Sequence, residues 1–181
     1  MHLLCKAIKH DIIEPTINDV SLDGHKLQYV KNKTPEICIA AMRQNAFALQ
    51  YIVNQTHEQC LLAVKQNGRA LQFVKNKTPE ICLAAVNENG TVLKFIKTQT
   101  SDLCLAAVKQ NGNALQYVRE QTRKICIVAV KQDGTTLQYV REQTPEICLV
   151  AVKQNGFALQ YVKEQTPEIC FVAVNKTASS L

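Results

Sequence analysis

No apolar run in this sequence approaches the roughly 18 residues that a bilayer-spanning helix needs. The longest, such as Ile147 to Val152, are about the length of one buried helix face. The N-terminal apolar stretch is broken by Lys6 and Lys9, so it does not read as a secretory signal. The marks of catalysis are missing as well. There is no Gly-rich phosphate loop, no Gly-x-Ser-x-Gly elbow and no zinc-protease helix motif. The four histidines, His2, His10, His25 and His57, share no common interval and accompany no nucleophile motif. The alternating leucines and asparagine ladder of a leucine-rich repeat are also absent, which argues against a β-rich fold of similar period. The sequence therefore suggests neither an enzyme nor a cofactor.

What is present is a repeat. With 46% apolar and 20% charged residues the chain has the composition of a folded protein. One unit, Thr144 to Gln165, reads TPEICLVAVKQNGFALQYVKEQ, and the same 22-residue frame begins at Thr34, Thr56, Thr78, Thr100, Thr122, Thr144 and Thr166. The domain boundaries follow: a short capping helix over 1–11, a degenerate unit over 12–33, six full units over 34–165 and a truncated capping unit over 166–181. The opening Thr is a helix N-cap, and the Pro after it in four units suits the first helical turn. Lys or Arg in the last turn, with Gly just past it, reads as a stop signal. Two short helices per unit are predicted, of about eleven and nine residues. Neither would be stable alone, so neighbouring units must cover each other. The expected fold is an all-α solenoid of helix-turn-helix repeats.

Seven of the eight cysteines, from Cys38 to Cys170, recur every 22 residues; only Cys5 is outside the series. Stacked helices are separated by roughly 9–10 Å, and a disulfide needs Cα atoms within about 7 Å. No disulfide is therefore expected, and free thiols fit a reducing, intracellular compartment. Metal binding needs several ligands converging on one ion, which a ladder of this spacing does not supply. Small buried apolar side chains are the plainer reading.

Units of the form Ala-Leu-Gln-Tyr-Val-x-x-Gln-Thr-x-x-Ile-Cys-x-x-Ala-Val-x-x-Asn-Gly resemble the repeat family called domain of unknown function 4116, over about Ile12 to Val174. The resemblance implies an intracellular setting, since that family is known mainly from giant viruses of amoebae and Legionella-type bacteria. It implies no activity and no site residues. The first unit departs from the pattern, with Pro15 and Thr16 where Ile and Cys stand elsewhere.

Function is then sought where the units disagree. The residue just after the glycine is His25, Phe47, Arg69, Thr91, Asn113, Thr135 and Phe157 in successive units. A position that varies inside a constant frame should face solvent, and Phe47 and Phe157 would be exposed interface anchors. This column is the candidate partner-binding surface of a non-enzymatic protein-interaction scaffold, viral or effector-like in a host cell. Neutral variation on a solvated loop is the competing reading. The starts of the first helices vary too, with His57, Ser101 and Arg123 in place of Pro. The net charge of +6 offers a different surface, a basic face of Lys31, Lys33, Lys75, Lys77, Lys97, Arg119, Arg141 and Lys163 that could hold nucleic acid. Stabilisation of helix C-termini accounts for most of these charges without a ligand. The aromatic column from Tyr29 to Tyr161 alternates Tyr with Phe, which favours packing over base stacking. A recurring Gln, from Gln28 to Gln160, could form a polar ladder or simply sit on a wet face. The C-terminal unit has no room for a second helix, so its bare flank caps the stack or docks a second copy.

Overall fold

The computed structural model describes residues 14–178 of the chain. The capping helix expected over 1–11, and Cys5 with it, lie outside them. Among the described residues every element is helical, and two kinds alternate. The α-helices are α1 (Ile17–Leu22), α2 (Pro35–Gln44), α3 (His57–Gln66), α4 (Pro79–Glu88), α5 (Ser101–Gln110), α6 (Arg123–Gln132), α7 (Pro145–Gln154) and α8 (Pro167–Ala178). Between them run the 3₁₀-helices η1 (Gly24–Tyr29), η2 (Ala46–Tyr51), η3 (Gly68–Phe73), η4 (Gly90–Phe95), η5 (Gly112–Tyr117), η6 (Gly134–Tyr139) and η7 (Gly156–Tyr161). Successive α-helices pack side by side, as do successive 3₁₀-helices, giving the two layers of a repeat solenoid.

Each α-helix starts where the sequence places it. The Thr34, Thr78, Thr122 and Thr144 hydroxyl oxygens accept the N–H three residues on, satisfying a donor that the helix leaves free. Thr56 does the same within a capping box closed by Gln59. The end of the helix differs from expectation. Asn67 leaves α3 in an extended conformation (φ −152°, ψ 109°), and its side-chain oxygen accepts the N–H of Arg69 to start η3. Asn or Asp does this in all seven units, so one side chain ends one helix and begins the next.

The second helix is shorter and tighter than predicted: six residues of 3₁₀-helix, where about nine of α-helix were expected. In η2 the N–H of Ala48 donates to the Asn45 carbonyl and that of Ile52 to Leu49, both three residues back. A 3₁₀-helix eclipses side chains three apart, and the burial follows that period. Ala46, Leu49 and Ile52 are buried in one row, while Phe47 and Gln50 lie outward of them. Full burial of the leucine of this row, repeated as Leu71, Leu93, Leu115 and Leu137, stabilises by about 1.5–3 kcal/mol each.

The glycines are not stop signals. None has a positive φ; each is instead the first residue of a 3₁₀-helix pressed against the next unit. A Cβ on Gly68 would lie 2.5 Å from the Ala85 carbonyl oxygen, and one on Gly134 the same distance from that of Ala151. The same close approach to a backbone carbonyl recurs at Gly24, Gly90 and Gly156 and is looser at Gly112, where the Ala129 carbonyl oxygen would lie 3.0 Å away. Ala46 is the exception in the glycine column, and there the stack loosens: α2 and α3 are the least closely packed of the successive α-helices.

The ends depart from the frame for visible reasons. Pro15 lacks the N–H a helix interior needs, and Thr16 restarts the chain with its own capping box to Asp19, leaving α1 six residues long. At the other end Thr177 and Ala178 replace Asn-Gly, and α8 runs on to twelve residues. Its outer flank exposes Phe171 and Val174. No helix among the described residues is long and apolar enough to cross a membrane.

Candidate interaction surface

The outward row of the 3₁₀-helices carries the variable column. The backbone N–H of each of its members, from His25 to Phe157, is tied to the Asn or Asp two residues earlier. Local chemistry thus fixes the backbone there and leaves the side chain free to differ. None of the seven side chains is buried. His25, Arg69 and Phe157 are exposed; Phe47, Thr91, Asn113 and Thr135 are half-buried.

The column does not stand alone, because two of its members, His25 and Phe47, meet the aromatic residue of the following unit. Phe47 meets Phe73 edge-to-face with ring centroids 5.8 Å apart. His25 lies 6.1 Å from the Tyr51 ring, with Nδ1 3.2 Å from the Tyr51 hydroxyl and Nε2 2.9 Å from Asn45 Nδ2. The Thr91 hydroxyl donates to the Asn89 side-chain amide oxygen and that of Thr135 to the Asp133 carboxylate, each at 2.7 Å. Phe47 is therefore not the free anchor expected from sequence; it packs against the core. Phe157 is 66% exposed, and no 3₁₀-helix follows it among the described residues. The aromatic column packs as expected: from Tyr51 to Tyr161 its members are half-buried against the core, and only Tyr29 is largely exposed.

The basic residues occupy the opposite margin, in the bend that leads from each 3₁₀-helix to the next α-helix. Several are engaged. Lys75 Nζ donates to the Val53 carbonyl at 2.7 Å and Lys163 Nζ to Arg141 at 2.9 Å. Arg141 reaches the carbonyls of Arg119 and Val118 at 2.6 and 2.9 Å. Lys33 and Lys77 turn onto the carbonyls of Val30 and Val74 in their own units. These cations cap carbonyls at the ends of 3₁₀-helices, where the dipole favours positive charge. Lys31, Lys97 and Arg119 are exposed in the same bend.

Two glutamine ladders emerge that the sequence reading missed. Gln55, Gln99, Gln121 and Gln143 stand just before the capping threonines. Each donates Nε2 to a carbonyl of the next unit (Phe73, Tyr117, Tyr139, Tyr161) at 2.9–3.0 Å. Each also accepts, at 3.0 Å, the N–H of Lys75, Arg119, Arg141 or Lys163. A second ladder near the α-helix ends, Gln44, Gln110, Gln132 and Gln154, accepts the glycine N–H of the preceding unit. The glutamine column singled out from sequence is merely exposed; Gln116, Gln138 and Gln160 bond only the carbonyl three residues back. Their recurrence was visible in the sequence, but period alone does not tell a bridging amide from a solvated one.

The cysteines lie under the first ladder. Cys60, Cys104 and Cys148 donate to Gln Oε1 at 3.7 Å. Burial pushes the thiols from Cys38 to Cys148 above their ordinary range, the opposite of an activated nucleophile. Cys170, on the uncovered flank of α8, is half-exposed. Two of the variable helix starts serve the stack as well. His57 Nε2 lies 3.0 Å from Glu80 in the next unit, and Arg123 pairs likewise with Glu146.

A family model described as a domain of unknown function (DUF4116) matches residues 57–99, 100–144 and 122–166, more than half of the 181-residue chain. The last two matches overlap and start 22 residues apart (122 − 100), so each spans two of the units described above. No curated protein and no solved structure matches the chain.

Proposed function

Given that the chain belongs to the family described as a domain of unknown function (DUF4116), whose description names no activity, we propose that it is a non-enzymatic scaffold that binds a protein partner along the outward row of its 3₁₀-helices. The observation that carries this reading is the contrast within each unit. The residue in the variable column differs from unit to unit and is never buried, while the glycine (Ala46 in one unit) before it and the residue after it are buried in every full unit. Arg69 and Phe157, the kinds of side chain that anchor interfaces, are exposed on this row. The setting we infer is a host-cell interior, viral or effector-like, where buried free thiols persist. The basic margin is the weaker candidate for a partner surface, since Lys75, Arg141 and Lys163 spend donors on neighbouring carbonyls.

The test is a single variant carrying Arg69→Ala and Phe157→Ser, compared with wild type in capture from a host-cell lysate. The reading expects an unchanged melting curve and loss of the proteins that wild type retains. Full retention by the variant would refute it. A parallel titration with DNA and RNA over a salt series distinguishes the basic margin, whose binding would weaken steeply as salt rises.

A further inference from the structure

The basic margin contains a row of clefts between successive units, and one of them is unlike the rest. The clefts between α5 and α6 and between α6 and α7 each hold about 230 Å³, and that between α3 and α4 about 370 Å³. The cleft between α4 and α5 holds about 550 Å³, within the ~300–1,000 Å³ typical of small-molecule sites.

One residue sets the large cleft apart from these three. Each smaller cleft is spanned by a glutamine, Gln55, Gln99 or Gln121, that grips an N–H and a carbonyl of the following unit. In the large cleft Lys77 stands in that place and turns its Nζ to the Val74 carbonyl at 2.6 Å, within its own unit. No side chain among the described residues then takes the N–H of Lys97, the counterpart of the N–H that Gln55 holds at Lys75. The opened wall includes three lysines, Lys75, Lys77 and Lys97, and a single acid, Asp102; the Lys75 and Lys77 ammonium groups each give one of their three donors to a carbonyl, Val53 and Val74. The floor includes Leu83, which is 45% exposed, and the buried Ile96. The same Lys occurs at Lys33, but Val53 stands there where Lys97 stands here, so the three-lysine rim is met once among the described residues.

We propose that this cleft binds a small anionic amphiphile, a carboxylate or phosphate monoester on a short alkyl chain. The head would accept from the Lys97 N–H and the lysine ammonium groups, and the chain would lie over Leu83 and Ile96. Charge supplies the attraction and the apolar floor discriminates against bare inorganic anions. The site stands apart from the variable column, so its failure would leave the partner-binding reading intact.

The experiment is an NMR titration of the full chain with octanoate, octyl phosphate and 1-octanol at low ionic strength. Octanoate or octyl phosphate is expected to bind saturably, with the largest amide shift at Lys97; whichever binds more tightly identifies the head group. 1-Octanol is expected to bind at least tenfold more weakly. Lys77→Gln installs the bridge used by the other units, so it should weaken the anion at least tenfold while leaving the melting temperature equal or higher. Lys97→Gln should weaken the anions several-fold and leave 1-octanol unchanged. Octanol binding as tight as the anions, undiminished binding to Lys77→Gln, or no saturable shift with either anion would each overturn the proposal.

Discussion

Gly134 and Thr135 are neighbours in the chain and opposites in what they tolerate. A methyl group at Gly134 would meet the Ala151 carbonyl oxygen at 2.5 Å. At Thr135, one residue on, the array carries five residue types over seven units. The reason is the 3₁₀ geometry, which aims consecutive residues at different surroundings: the glycine at the next α-helix, the following side chain outward. Constraint in this protein therefore alternates by single residues rather than by segments. The stack is set along one row and the surface is free along the next.

Substitutions can break this contrast on its rigid side first. Gly134→Ala should destabilise by up to about 3 kcal/mol, as overpacking against backbone does, read as a lower midpoint in urea unfolding. Ala46→Gly, at the joint already opened by its methyl group, should change stability by less than about 1 kcal/mol. An equal loss at both sites would mean that the close approach is not what selects glycine. Gln121→Ala removes a bridge to the Tyr139 carbonyl and the Arg141 N–H, and should cost about 1–2 kcal/mol in the same assay. On the free side the two phenylalanines separate. Phe47→Ser loses an edge-to-face partner and should cost about 1 kcal/mol, whereas Phe157→Ser should stay within about 0.5 kcal/mol of wild type.

Much of this was legible in the sequence, and the gaps have physical causes. Thr34 and its counterparts, with Pro35 after the first of them, mark the α-helix starts, because capping is a local interaction between chain neighbours. The buried thiols were legible for a similar reason, since a strict period fixes their separation. The 3₁₀-helices were not: Ala158, Leu159, Tyr161 and Val162 fit a 3.6-residue face nearly as well as a 3.0-residue one over so short a span. Gly68 and Gly134 carried the usual signature of a helix stop, and only the approach of the neighbouring carbonyl reveals their different role. Gln121 and Gln138 are indistinguishable as recurring amides until the next unit is in place. On the candidate surface, the sequence places Phe47 in solvent because its partner, Phe73, arrives only from the following repeat. At Phe157, where no ring of a following unit is met among the described residues, exposure is what the structure has.

The alternation itself is tested by placing at Thr135, one at a time, the residues the other units carry there (His, Phe, Arg and Asn) and measuring thermal melting beside Gly134→Ala. The account predicts melting temperatures within about 2 °C of wild type for all four Thr135 variants and a clearly larger drop for Gly134→Ala. Thr135 variants that melt as low as Gly134→Ala would contradict it.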